Sequence, residues 1–371
     1  DGILVVKSLG RSEQEIQRIR NSADQIRNHR ISVGRLRAIF EPAIFALPNI
    51  GVIFLLMLGT WLIDKGSLSV GELVSAIALF GILAFPMRIA GIFFEELPRS
   101  VVALDRIDRI LKLRSSSSQS LGERTIDKTS VGLSIQDLQV HHDDHLILES
   151  VNFEVLPGEI VALVGATGVG KSTIADLIAG LQEPTNGQIL IDGIPMEELS
   201  SKTKNESIAV AFQESFLFAD TIRENIALGR SFHDAEIVEA LKVAQALEFV
   251  QDLPDGINAT LGERGVTLSG GQRQRITLAR ALVGSPKILF LDDSTSSVDP
   301  LIEKKILENL RQTADVTLLI VAHRLSTIKL ADRIVFLNEK NVEGVGTHEE
   351  MMRLAPYASL VKAYDNSGIS S

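Results

Sequence analysis

Ile160-Val161-Ala162-Leu163-Val164 leads directly into Gly165-Ala166-Thr167-Gly168-Val169-Gly170-Lys171-Ser172-Thr173. The apolar run reads as a strand, and the residues from Lys171 onward read as the start of a helix. The segment between them satisfies GxxxxGK[ST] in the strand, loop and helix setting that the pattern requires. In that setting the glycines let backbone N–H groups close around phosphate oxygens at the positive end of a helix. Lys171 adds a point charge, and the Ser172 hydroxyl is placed to ligate Mg²⁺.

Further β-rich runs flank this loop. Leu133 to Val140, Ile288 to Leu291, Thr317 to Val321 and Arg333 to Leu337 alternate with helical patterns, which predicts an α/β domain built on a parallel sheet. The run Ile288-Leu289-Phe290-Leu291 ends in Asp292-Asp293. With a phosphate loop upstream, the first carboxylate is placed to hold Mg²⁺ and the second to polarise an attacking water. Paired acids at a strand end are the blander alternative, a solvated charge.

The first hundred residues have a different composition. From Pro42 to Ile63 no residue is charged, and as a helix this stretch would measure roughly 33 Å at about 1.5 Å per residue, enough to cross a hydrocarbon core. Pro42, Pro48, Gly51 and Gly59 would be costly in a soluble helix but are tolerated where neighbouring helices re-satisfy the backbone. A second apolar stretch, Leu73 to Phe94, is interrupted by Pro86 and Arg88 and preceded by the turn-rich Asp64 to Gly71. Arginines from Arg11 to Arg37 precede the hairpin and Arg99 to Arg114 follow it, so both outer ends are predicted to be cytoplasmic. Ser12 to Arg37 and Leu97 to Leu113 should extend the two spans as helices. Between Arg114 and Ser130, the serines 115–118 and Ser120 mark an exposed linker and a domain boundary.

The chain has 371 residues, 37 Lys and Arg against 47 Asp and Glu, and a net charge of -10, which excludes wholesale nucleic-acid binding. It contains no cysteine, so it has no disulfide framework, zinc-thiolate site or thiol nucleophile. It starts at Asp1 with no charged region leading into a short apolar segment. Nothing there resembles a signal peptide, and the start reads as a cut within a longer polypeptide.

Between the loop and the paired acids stands Leu268-Ser269-Gly270-Gly271-Gln272-Arg273-Gln274-Arg275, which resembles the signature of the ABC ATPases. Other elements follow in that family's order. Gln213 in Ala211-Phe212-Gln213-Glu214 resembles the Q-loop, Ser296-Ser297-Val298-Asp299 the D-loop, and His323 in Val321-Ala322-His323-Arg324 the switch histidine. Thr260-Leu261-Gly262-Glu263-Arg264-Gly265 resembles the short segment that marks exporters, and Asp1 to Ser8 resembles the second coupling helix of exporter half-transporters.

The resemblance covers essentially the whole chain. It implies a transmembrane helical hairpin with long cytoplasmic extensions (1–113), a linker (114–130) and an α/β P-loop ABC ATPase domain with antiparallel β and α-helical subdomains (131–371). The spans would be the last two of six. It also implies a dimer in which Ser269, Gly270, Gly271 and Gln272 close over nucleotide held by the other subunit. ATP and Mg²⁺ would be bound by residues 165–173 and Gln213, with Ser172, Gln213 and Asp292 on the metal. Lys171, Asp293 and His323 would act in catalysis, and Ser296 and Asp299 in the D-loop. The implied setting is a bacterial plasma membrane with the nucleotide-binding domain in the cytoplasm.

Two residues depart from the family's pattern. Where a Glu usually follows the first Walker-B acid, this chain has Asp293, one methylene shorter. The adenine-stacking position, commonly Tyr, falls on His142. These departures predict a slow site on this chain's own Walker motifs, with its intact signature serving a heterodimeric partner. A homodimer with two equivalent sites, a soluble-type ABC ATPase and a non-hydrolysing regulatory clamp remain the alternatives. Drug, lipid and peptide are equally open as the exported substrate, and Arg88 is either a snorkelling anchor or a cavity residue.

Overall fold

The computed structural model describes residues 2–112, 122–142, 145–262, 265, 268–312 and 316–368. The chain divides into two compact units, Asp1–Leu113 and Arg114–Ser371.

The first unit is helical: α1 (Ile3–Ser8), α2 (Ser12–Asp64) and α3 (Val70–Leu111). Pro42 and Pro48 lie inside α2, and Pro86 and Pro98 inside α3, without ending either helix. α3 starts with a capping box, in which Ser69 Oγ accepts the Glu72 N–H and the Glu72 carboxylate accepts the Ser69 N–H at 2.8 Å, satisfying two otherwise orphaned donors. Among the described residues, α2 is the one helix long and apolar enough to cross a membrane. The apolar part of α3 that meets the same composition is the shorter run Val70–Leu83. The second expected span, Leu73 to Phe94, includes residues 84, 87 and 88, whose side chains, Arg88 among them, lie outside the described set. Phe54, Met57, Ile82 and Phe85 are exposed along the two helices, as they would be against lipid.

The helices meet where side chains are smallest. A Cβ on Gly51 would lie 2.4 Å from Phe80 Cζ, and one on Gly59 would lie 2.2 Å from Leu73 Cδ1. Gly59 and Leu73 are buried, so two notches on α2 receive two large residues of α3, the close approach that membrane helices use in place of a hydrophobic driving force.

The second unit holds two sheets. β1 (Leu133–His142), β2 (His145–Val155), β4 (Asn186–Ile191) and β5 (Ile194–Pro195) form an antiparallel sheet in the order β2-β1-β4-β5. The other sheet runs β10-β9-β3-β8-β7-β6, with β3 (Ile160–Gly165), β6 (Ile208–Ala211), β7 (Ile288–Leu291), β8 (Thr317–Val321), β9 (Arg333–Asn338) and β10 (Asn341–Gly346). All neighbours in it are parallel except β9 and β10. Every residue of β3, β7 and β8 is buried. That is why these strands read as continuous apolar runs, each buried Val, Leu or Ile contributing about 1.5–3 kcal/mol.

The helices of this unit are α4 (Lys171–Ile178), α5 (Ser201–Ser207), α6 (Ile222–Ala227), α7 (Asp234–Val243), α8 (Leu247–Gln251), α9 (Gly270–Leu282), α10 (Pro300–Gln312), α11 (Leu325–Leu330), α12 (His348–Met351) and α13 (Ala355–Gly368). α6 to α9 pack on one cluster centred on Ile226, Ile237, Leu241 and Ile276. α13 lies on another with Tyr357 and Val361 against Val164 and Phe336.

The serines 115–118 and Ser120 of the expected linker lie outside the described residues. The described part of that segment, residues 122–130, is less free than its composition suggests. Ile126 is buried, Arg124 pairs with Glu198 at 2.9 Å, and the Ile126 carbonyl accepts from Lys287 Nζ at 2.7 Å. Its polar residues are engaged in contacts at long sequence separation, which local composition does not reveal.

The Gly59 notch gives a direct test. Leu73 Cγ lies 3.0 Å from where a Gly59 Cβ would stand, so the two Cβ positions are at most about 4.5 Å apart, within disulfide range. Gly59→Cys with Leu73→Cys, in a chain that otherwise has no cysteine, is expected to lose both thiols to maleimide labelling after mild oxidation. Two thiols that stay reactive would contradict this packing.

Candidate functional site

The candidate site lies where parallel strands end together. Leu163 of β3 is level with Val321 of β8, and Leu291 of β7 with Ile320 of β8 and Ala211 of β6. Gly165, His323, Asp292 and Gln213 therefore leave the sheet at one edge, the carboxyl end where open α/β sheets bind ligands.

The loop after β3 depends on glycine at two points. Gly170 caps α4 with φ +105°, and a Cβ there would stand 2.5 Å from Leu148 Cδ2. A Cβ on Gly165 would stand 2.5 Å from the Leu337 carbonyl oxygen. Ala166, Thr167, Gly168 and Ser172 are exposed, whereas Val169 is half-buried against the core and Thr173 is half-buried. Lys171 is buried, and its Nζ donates to the Gly165 and Ala166 carbonyls at 2.7 and 2.9 Å. Burial pushes its pKa down, and the carboxylates of Asp292 and Asp293 oppose that shift.

Asp292, directly after β7, is buried, and the Ser172 hydroxyl stabilises its carboxylate. Burial raises its pKa, Ser172 opposes this, and the neighbouring Asp293 and Asp176 charges add to it. A hydroxyl and a carboxylate side by side, in a place that penalises uncompensated negative charge, form a hard-oxygen donor set that fits Mg²⁺. Gln213 is exposed, and its Nε2 donates to Asp293 Oδ2 at 3.4 Å. Asp293 has a left-handed backbone, φ +46°, a region in which Asp and Asn are enriched. Burial raises its pKa as well, with Arg324 opposing.

His323 follows β8, and burial and the Lys171 charge lower its pKa. Asp293, Ser296, His323 and Arg324 share a cavity of about 200 Å³.

The Ser269 to Gln272 segment starts α9. Ser269 Oγ accepts the Gln272 N–H, and Gln272 Oε1 accepts the Ser269 N–H at 2.8 Å. A Cβ on Gly271 would stand 2.8 Å from the Ser297 carbonyl oxygen, so the second glycine admits the loop of Ser296 and Asp299. Ser269, Gly270, Gly271, Ser297 and Asp299 line a separate cavity of about 350 Å³. Among the described residues no hydrogen bond joins this segment to residues 165–173. His142 is exposed at the end of β1, in register with His145, while Asp143, Asp144, Glu263 and Arg264 lie outside the described residues.

Sequence reading missed the groups that tie these loops together. Gln274 is buried, donating to Ser296 Oγ at 3.0 Å and accepting from the Ser297 N–H at 2.8 Å. The buried Glu303 carboxylate binds Arg324, Thr295 and Thr327, and Arg324 also donates to the Ser296 and Val298 carbonyls. Gln274 and Arg324 stand beside segments already singled out, which is the signal that could have found them. Tyr364 carries no local pattern of this kind.

Comparison with known proteins agrees with this layout. The family described as "ABC transporter transmembrane region" matches residues 1–87, and the family described as "ABC transporter" matches residues 148–296. The uncharacterized ABC transporter ATP-binding protein YwjA of Bacillus subtilis is 33% identical over 354 residues, covering 95% of this chain and 62% of that protein. A putative multidrug export ATP-binding/permease protein of Staphylococcus aureus is 36% identical over 355 residues, 95% of this chain and 61% of that protein. The structure of a bacterial Atm1-family ABC exporter with ATP bound superposes with a TM-score of 0.88 at 29% identity, over 97% of this chain and 64% of that one. The chain thus spans less than two thirds of the length of the relatives it matches. With a transmembrane region followed by an ABC ATP-binding domain, the chain belongs to the ABC transporter family and is a membrane protein.

Proposed function

We propose that this chain is the ATP-hydrolysing portion of an ABC exporter subunit, coupling nucleotide-driven closure of paired ATP-binding domains to export of a drug, lipid or peptide. The observation that carries this reading is the gathering of Lys171, Ser172, Asp292, Asp293 and His323 at one sheet edge. Lys171 and the amides of residues 165–173 bind phosphates, and His142 is assigned the adenine. Ser172, Asp292 and Gln213 hold Mg²⁺, which when bound neutralises phosphate charge. Asp293 orients the attacking water and His323 meets the terminal phosphate. Ser269, Gly270, Gly271 and Gln272, with Ser296 and Asp299 of the D-loop, act on nucleotide held by a second half-transporter. The separate cavity lined by Ser269, Gly270, Gly271 and Asp299 supports that division, whereas Ser296 lines the cavity of Asp293 and His323.

The Walker site of this chain is the slower of the two in such a dimer. Three observations support this: the side chain after Asp292 is one methylene short, Gln213 engages it, and burial disfavours its charged form. A misplacement of about 1 Å costs on the order of a hundredfold in rate. The homodimer with two equivalent sites is the alternative that the experiments separate.

In the detergent-solubilised protein, Lys171→Ala is expected to lower ATP turnover at least a hundredfold. ATP hydrolysis that survives this change would place the activity elsewhere. Asp293→Glu is expected to raise kcat about tenfold or more with KM for ATP little changed. An unaltered kcat, with wild type already at the rate of an ordinary exporter, would reject the slow-site reading and favour equivalent sites.

A further inference from the structure

α13 reaches the candidate site. Tyr357, Val361 and Tyr364 follow one another at helical spacing, so they share a face. Tyr357 is fully buried, stands edge-to-face with Phe336 at 5.5 Å, and has its hydroxyl 2.9 Å from His348 Nδ1. Val361 is buried in the same cluster. These two fix the helix on the sheet, and the next turn delivers Tyr364. Its hydroxyl donates to the Gly165 carbonyl at 3.3 Å and lies 3.4 Å from His323 Nδ1, with the two rings edge-to-face at 6.0 Å. One phenol thus touches both the end of the phosphate loop and the switch histidine, at distances typical of hydrogen bonds that tighten when a site is filled.

We propose that Tyr364 is a positioning residue for ATP hydrolysis, holding His323 through Nδ1 and thereby fixing which imidazole nitrogen is free. A phenol has one proton. Shared between the Gly165 carbonyl and His323 Nδ1, it leaves Nδ1 an acceptor, so the neutral ring carries its proton on Nε2, the nitrogen that can donate to a phosphate oxygen. The partner of one ring nitrogen sets the state of the other. The same contact links the ring to Gly165, whose carbonyl also receives Lys171, so loop, histidine and α13 keep one geometry. Burial and the Asp293 charge both disfavour ionisation of Tyr364, keeping its proton in place.

The proposal rests on the ATPase reading above, and the test separates the two. In the full chain in detergent, Tyr364→Phe keeps the ring and removes the hydroxyl. We expect kcat to fall about fivefold, the effect of one neutral hydrogen bond, with KM for ATP within twofold of wild type. The ¹⁵N-imidazole signal of His323, identified by its loss in His323→Gln, should leave the Nε2–H form. Tyr357→Phe removes the other phenol of α13 and should move neither quantity. An unmoved imidazole signal in Tyr364→Phe overturns the contact, a moved signal with unchanged kcat overturns its part in turnover, and equal effects of Tyr357→Phe overturn both in favour of general loosening of α13. A wild-type chain with no ATP turnover counts against the ATPase reading, and the imidazole signal then still decides the contact.

Discussion

The parallel pairing of β3, β8, β7 and β6 is the constraint on which the rest depends. Parallel neighbours in register must end at the same edge, and there each strand gives way to irregular backbone with unsatisfied polar groups. This chain fills that edge with a buried lysine, a buried aspartate, a hydroxyl and an imidazole. The charges are costly there and are offset only by one another and by loop carbonyls. The buried strands make the cost bearable, because a core packed at crystal density holds the geometry without drift.

A second set of contacts converts loops into one frame. Gln274 joins the signature helix to Ser296 and Ser297, and Arg324 joins the same loop to Glu303 and sits next to His323. The Ser269 to Gln272 helix start and the loop beside His323 are therefore joined through residues 296–299. A displacement of 296–299 is felt on both sides through buried side chains, and buried polar networks of this kind act as units.

Much of this was legible in the sequence wherever the information is local. The strand from Ile160, the turn into α4 and the strand that ends before Asp292 were each legible from a few adjacent residues, because period, turn chemistry and capping are short-range properties. The continuous α2 was legible too, its prolines included, since Pro42 and Pro48 fall in an apolar run. What escaped is long-range. The polar segment that includes Arg124 reads as tether until Glu198 is found opposite it, Glu303 reads as an exposed helix residue until Arg324 arrives from beyond β8, and nothing near Tyr364 announces Gly165. The short antiparallel strands β4, β5 and β10 escaped for another reason: β4 and β10 are half-exposed and contain glycine, β5 is only two residues long, and none has the apolar run that marked β3.

The left-handed backbone at Asp293 limits which side chains the position accepts. Most L-residues are strained there by about 1–2 kcal/mol, and aspartate is among the few that settle into it readily. Once the shorter acid occupies this position, the surrounding chain can relax around a conformation that glutamate tolerates less well. A longer acid at this position has to meet that backbone preference as well as accommodate a methylene. One dihedral angle thus helps decide which acid the position accepts.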